Sequence, residues 1–141
     1  MTTRGESMGF LLWQVTLAWQ RAMRAALDPH DLTHVQFVLL TSVCWLSEHE
    51  ETPSQQRIAE HAGVDTMMTS QVLRRLAARQ LISRELDDSD ARARRIVLTD
   101  TGRTVLAGAL ADVEATDTAF FAALGPDAPV FLRGLTLLHG D

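Results

Sequence analysis

Residues 54–79 hold the pattern that most narrows what this chain can fold into. After Ser54, the apolar positions Ile58, Ala59 and Ala62 fall on one helical face. Gly63 then interrupts, as glycine does where a helix ends on a left-handed residue. Val64 follows as an inward position. Asp65 or Thr66 opens a second helix reaching Arg79, with Thr69, Val72, Leu73 and Leu76 on its inner side. Two short helices joined by a glycine-containing turn form a helix-turn-helix.

The texture changes past this pair. Residues 81–86 and 94–98 read as two strands around the polar loop 87–93, a hairpin with a long tip. Upstream, residues 8–27 carry Leu11, Val15, Ala18, Ala22 and Ala26 at helical spacing. Asp28-Pro29 breaks that helix, and Asp31 is the expected N-cap of the next. Residues 35–46 are apolar nearly all round, so they should form a buried central helix, with a solvated exit at 48–51. Downstream, Thr99 or Asp100 caps a helix bearing Val105, Leu106, Ala109, Leu110 and Val113, to about Leu124. Gly125-Pro126 breaks it, and a last helix over 127–138 carries Val130, Phe131, Leu135, Leu137 and Leu138.

The expected fold class is mainly α with a small β-hairpin wing: a winged helix-turn-helix between terminal helices. Residues 1–141 form one domain. Residues 8–46 and 100–139 are mainly dimerisation helices, because the first and last expose more apolar surface than one subunit covers. Residues 54–99 form the DNA-binding module.

Ser54-Gln55-Gln56-Arg57-Ile58-Ala59, then Val72-Leu73-Arg74-Arg75-Leu76 with Arg79-Gln80-Leu81-Ile82, carry a resemblance. So does Asp87-Asp88-Ser89-Asp90-Ala91-Arg92, followed by Leu98-Thr99 and Gly102. From about Met8 to Leu138 the chain resembles the MarR family of bacterial transcriptional regulators, whose hairpin pattern is close to D-P-x-D-x-R, then L-T-x-x-G. Two positions depart from it. Asp88 replaces the usual proline, which implies a looser tip. Gln80 replaces the usual glycine, which implies a different end to the second helix. The resemblance implies a homodimer that binds a pseudo-palindromic double-stranded operator, most often as a repressor, with release by a small aromatic or phenolic effector. It also implies that Arg92, oriented by Asp90, enters a minor groove.

Charge supports a DNA reader in this segment. The net charge is −5, and all 13 basic residues are arginine. Residues 54–104 hold nine arginines against seven acids, whereas the rest of the chain holds four against eleven. Arginines facing phosphates release counterions and supply sequence-independent affinity. The expected DNA contacts are Ser54, Gln55, Thr66, Met67, Ser70, Gln71, Arg74, Arg75, Asp90, Arg92 and Arg94. Glutamine can pair both polar groups of an adenine edge, and arginine both acceptors of guanine.

Other chemistries are not expected. No H-E-x-x-H, P-loop, G-x-S-x-G or dinucleotide fingerprint is present, so neither enzyme activity nor a cofactor is expected. Cys44, in an apolar helix, reads as a structural thiol and excludes an internal disulfide framework. His30 and His34 do not share a helical face, so no metal site is expected. The apolar stretch 8–19 is cut by Gln14 and Thr16 and is too short to span a membrane. A cytoplasmic protein follows. Phe10, Trp13, Trp19, His34, Phe37 and Trp45 are the candidate lining of an effector cleft between the outer helices and the DNA reader. The rival readings are a winged-helix interaction module and a small-molecule-binding protein, neither of which binds DNA.

Overall fold

The computed structural model describes residues 7–50, 52–86 and 94–140. Helix α1 (Met8–Leu27) starts where the Ser7 hydroxyl accepts the Phe10 N–H. A 3-10 turn over Asp28–His30 follows. Asp31 is not the cap of the next helix; it turns left-handed at φ 53° and lets Leu32 bury beneath α1 and α2. The cap falls two residues later. Thr33 Oγ1 accepts the Gln36 N–H at 3.1 Å, and Gln36 Oε1 accepts the Thr33 N–H at 3.0 Å. This reciprocal box opens α2 (His34–His49), whose last residues run into the solvated exit expected at 48–51.

Helix α2 lies at the centre, as its all-round apolar pattern requires. Leu39, Leu40, Val43 and Leu46 are fully buried in one core with Met23 and Leu27 of α1 and side chains of the helix-turn-helix, the hairpin and the long helix after it. Helix α3 (Gln55–Ala62) contributes Ile58, and α4 (Thr66–Ala78) contributes Leu73 and Leu76. Strands β1 (Ile82–Leu86) and β2 (Arg94–Leu98) pair antiparallel, with Ile82 opposite Leu98. Ser54 bridges Arg95 on the other side of β2, where the Ile96 N–H donates to the Pro53 carbonyl at 2.9 Å. Helix α5 (Asp100–Phe121) returns along α1 and adds Leu106 and Ala109 to the core. A 3-10 turn (Ala122–Asp127), kinked at Gly125, leads to α6 (Ala128–His139).

The end of α4 follows the glycine pattern without the glycine. The Gln80 N–H donates to the Ala77 carbonyl and the Leu81 N–H to the Leu76 carbonyl, with Gln80 at φ 62°. That is the Schellman closure, so the helix does not end differently despite the departure at 80. A side chain in this conformation costs roughly 1–2 kcal/mol. Just beyond, the Thr99 N–H donates to the Leu81 carbonyl at 3.1 Å. Gly102 lies so close that a Cβ there would collide with the same carbonyl.

Helix α6 packs chiefly on the turn before it. Val130, Leu132, Leu137 and Leu138 are exposed, Leu138 to 80%. The outer half of α1 is similar: Leu11, Leu12 and Val15 are exposed, and Trp13 to 62%. These helices present apolar surface that their own subunit does not cover.

Two substitutions should move stability in opposite directions, read by urea unfolding. Gly102→Ala should cost about 1–3 kcal/mol, because a backbone carbonyl, not a flexible side chain, stands in the way. Gln80→Gly should gain about 0.5–1 kcal/mol, the relief of the left-handed strain exceeding glycine's added chain entropy. Stability unchanged by both would contradict the tight junction described here.

Candidate nucleic-acid interface

Helix capping and one buried hydroxyl set the angle of α4. Ser54 Oγ accepts the Arg57 N–H at 3.2 Å and opens α3. Gly63 takes φ 71° and turns the chain, and Asp65 caps α4 by accepting the Met68 N–H at 2.8 Å. Thr69 is fully buried, and its hydroxyl donates to the Val64 carbonyl, five residues earlier, at 3.4 Å. This polar residue among Leu73 and Leu76 thus ties α4 to the turn before it. With that face inward, Thr66, Met67, Gln71, Arg74 and Arg75 are exposed, and Ser70 is half-buried at the edge. Positions 67, 70, 71 and 74 share one stripe by helical spacing. Met68, also exposed, was missed in the sequence because it lies between that stripe and the core positions.

Several arginines brace the head, and two on α4 face solvent. Arg57 meets Glu50 with two hydrogen bonds, Nε to Oε2 at 3.1 Å and Nη2 to Oε1 at 2.7 Å. This contact holds the Glu50 carboxyl below its usual pKa and pushes the Arg57 guanidinium up. Arg79 Nη1 donates to the Asp31 carbonyl at 2.6 Å and joins the end of α4 to the α1–α2 turn. Arg95 Nη1 donates to the Thr52 carbonyl at 3.1 Å. Arg74 and Arg75 face solvent with no ion-pair partner among the described residues. Gln55 is half-buried on α3, beside Ser54, whose oxygen is occupied by capping. Arg94 occupies the first position of β2, paired with Leu86. Asp90 and Arg92 lie outside the described residues.

The six candidate effector residues do not form one cleft. A cavity of about 590 Å³ lies between α1, α2 and the α3–α4 turn, lined by Arg24, Asp28, Leu32, His34, Val38 and Val64 among others. Of the six, only His34 lines it. Burial pushes the His34 pKa down, against the raising effect of Asp117. Trp19 sits edge-on to His34 at 5.1 Å, and its Nε1–H donates to Asp117 at 2.9 Å. Phe37 is buried in the core, and Phe10 and Trp13 lie on the exposed outer half of α1. Trp45 stacks on His49 and His61 at the α2–α3 junction. The reason is helical rise: eleven residues separate His34 from Trp45, about 16 Å along α2.

His30 pairs with Asp112 at 2.6 Å, and among the described residues no group of three metal-ligating side chains gathers. Cys44 is half-buried rather than sealed in the core, and its thiol donates to Glu48 at 3.6 Å. Burial first, then the Glu48 charge and hydrogen bond, raises its pKa. At pH 7.5 the native thiol should therefore react with iodoacetamide more slowly than the urea-unfolded chain. Its rate should keep rising with pH above the range where the unfolded thiol has levelled off. Equal rates in the native and unfolded chains would contradict this placement.

A two-helix reading head beside an antiparallel hairpin, carried on long helices, defines a winged helix-turn-helix DNA-binding protein. Residues 32–93 match the MarR family model. The chain is 45% identical over 117 residues to YdcH, an HTH-type transcriptional regulator of Bacillus subtilis, covering 83% of this chain and 80% of that one. It is 31% identical over 137 residues to the repressor Rv2887 of Mycobacterium tuberculosis, covering 95% and 94%. The chain belongs to the MarR family and is a DNA-binding transcriptional regulator. Among solved structures, Rv2887 with salicylic acid matches with a TM-score of 0.70 at 32% identity, over 94% of this chain and 96% of that one. CouR from Rhodococcus jostii RHA1 with p-coumaroyl-CoA matches at 0.81 and 30% identity, over 97% and 93%. A CouR structure on a 23-mer DNA duplex matches at 0.84 and 25% identity, over 100% and 99%.

Proposed function

We propose that the chain is a cytoplasmic, homodimeric repressor that reads a pseudo-palindromic operator with α4 and has no catalytic role. The observation that carries this reading is the solvent face of α4, where Gln71, Arg74 and Arg75 stand exposed beside Thr66 and Met67. The N-terminal part of this face, from Thr66 to Gln71, suits base edges in the major groove. Arg75, Arg94 and the α3 N-terminus at Ser54 and Gln55 take the flanking phosphates. Arg92, positioned by Asp90, takes the minor-groove role that the family pattern assigns to it. The relatives are named as a transcriptional regulator and a transcriptional repressor, which supports a binding role. No helix among the described residues is long and apolar enough to cross a membrane.

Residues 8–46 and 100–139 serve dimerisation and 54–99 serves DNA binding. The exposed apolar surfaces of α1 and α6 support this division, since a two-fold contact between copies buries them together. The cavity supports release by a small aromatic carboxylate, the kind of molecule that Rv2887 holds in its structure. Its fixed cation is Arg24, because burial disfavours a charge on His34.

Gln71→Ala tests the reading. Measured by fluorescence anisotropy on a duplex selected by the wild-type protein, it should cost about 1–3 kcal/mol. Preference at one base pair per half-site should relax. Equal loss on every duplex would remove Gln71 as a base reader. Wild-type protein that shows no affinity for any DNA would instead favour the interaction-module reading.

A further inference from the structure

Helix α4 exposes two apolar side chains in its first turn, Met67 and Met68, and of these Met67 lies on the stripe with Ser70, Gln71 and Arg74. Met67 is in its first turn and is 73% exposed, with Thr66 before it and Ser70 and Gln71 one turn on. It adds nothing to the core, which takes Thr69, Leu73 and Leu76 from the opposite face. Nor does it belong to the apolar surface of α1 and α6, which is carried by other elements.

The chemistry of the major groove gives such a residue a use. Helix-turn-helix readers aim the N-terminal residues of the second helix at base edges. Thymine differs there from every other standard base by its C5 methyl, which offers no hydrogen bond and is read by apolar contact. Gln71 and Arg74, on the same stripe as Met67, can read hydrogen-bonding groups but not a methyl. A thioether on a flexible unbranched chain adapts to a methyl over a range of positions. We infer that Met67 is a specificity-determining residue that reads a thymine methyl in each half-site, next to the base met by Gln71. This rests on the assignment of α4 as the DNA reader.

The test removes only the methyl. A duplex is selected from a random-sequence pool by the wild-type protein, and each thymine is replaced in turn by deoxyuridine. At one thymine per half-site, replacement should weaken wild-type binding about fourfold, the worth of one buried methyl-sized group. Met67→Ala should bind the thymine and deoxyuridine duplexes equally. Met67→Leu, which keeps an apolar contact, should retain the discrimination. Neither variant removes a charge, so both should keep the wild-type dependence of affinity on salt. Alanine at this exposed helical site preserves the fold, because it is the strongest helix former. The inference is overturned if no thymine is sensitive, or if the sensitivity persists undiminished in Met67→Ala. Failure to select any duplex would sink the DNA-reader assignment and this inference with it, an outcome distinct from the other two.

Discussion

The Leu81 carbonyl accepts the Thr99 N–H at 3.1 Å, and the Thr99 hydroxyl turns back to donate to the Gln80 carbonyl at 2.6 Å. The same hydroxyl accepts the Gly102 N–H at 2.9 Å and so caps α5. One threonine therefore joins the end of α4, the base of the hairpin and the start of the long scaffold helix. The approach is possible only because residue 102 has no Cβ. Leu81, Ile82, Leu98 and Leu106 bury on the inner side of this junction, while the Thr99 hydroxyl and the Gln80 carbonyl remain at the surface. The angle of the reading head relative to α5 is fixed here, and the exposed face of α4 inherits it.

A second set of contacts holds the head to α2 and to the α1–α2 turn. Arg79 grips the Asp31 carbonyl from the end of α4, while the Thr69 hydroxyl holds the start of α4 to the preceding turn. Residues of the α1–α2 turn also line the 590 Å³ cavity, through Asp28, Leu32 and Thr33. The same short turn is thus both a wall of the cavity and an anchor of α4. Positive charge in this segment has two uses: Arg57, Arg79 and Arg95 are spent on structure, and Arg74 and Arg75 are left facing solvent.

Most of the fold was legible because local chemistry and long-range packing agree. The Ser54 and Asp65 caps, the Gly63 turn and both strands stand where periodicity and capping residues placed them. Two details did not follow from local signals. Asp31 has the chemistry of a cap, but burial of Leu32 moves the cap to Thr33. Gln80 accepts a strained conformation because the Schellman bonds and buried Leu81 outweigh its roughly 1–2 kcal/mol cost. The face of α4 was readable from spacing alone, since Thr69, Leu73 and Leu76 determine it. The lining of the cavity was not. Aromatic residues close in composition lie far apart along α1 and α2, and the cavity is walled mainly by aliphatic and polar side chains. Which arginines act as braces depends on partners such as Asp31, 48 residues away in the chain, which no local pattern marks.

In the proposed dimer, two copies joined through their terminal helices present two α4 faces to one side of a duplex. Hydroxyl-radical footprinting of the selected operator measures this directly. Two protected patches are expected, related by a two-fold axis, with centres about one helical turn or a whole multiple of it apart, 10–10.5 base pairs per turn. A single continuous patch without two-fold symmetry, or two patches on opposite faces of the duplex, would contradict the account.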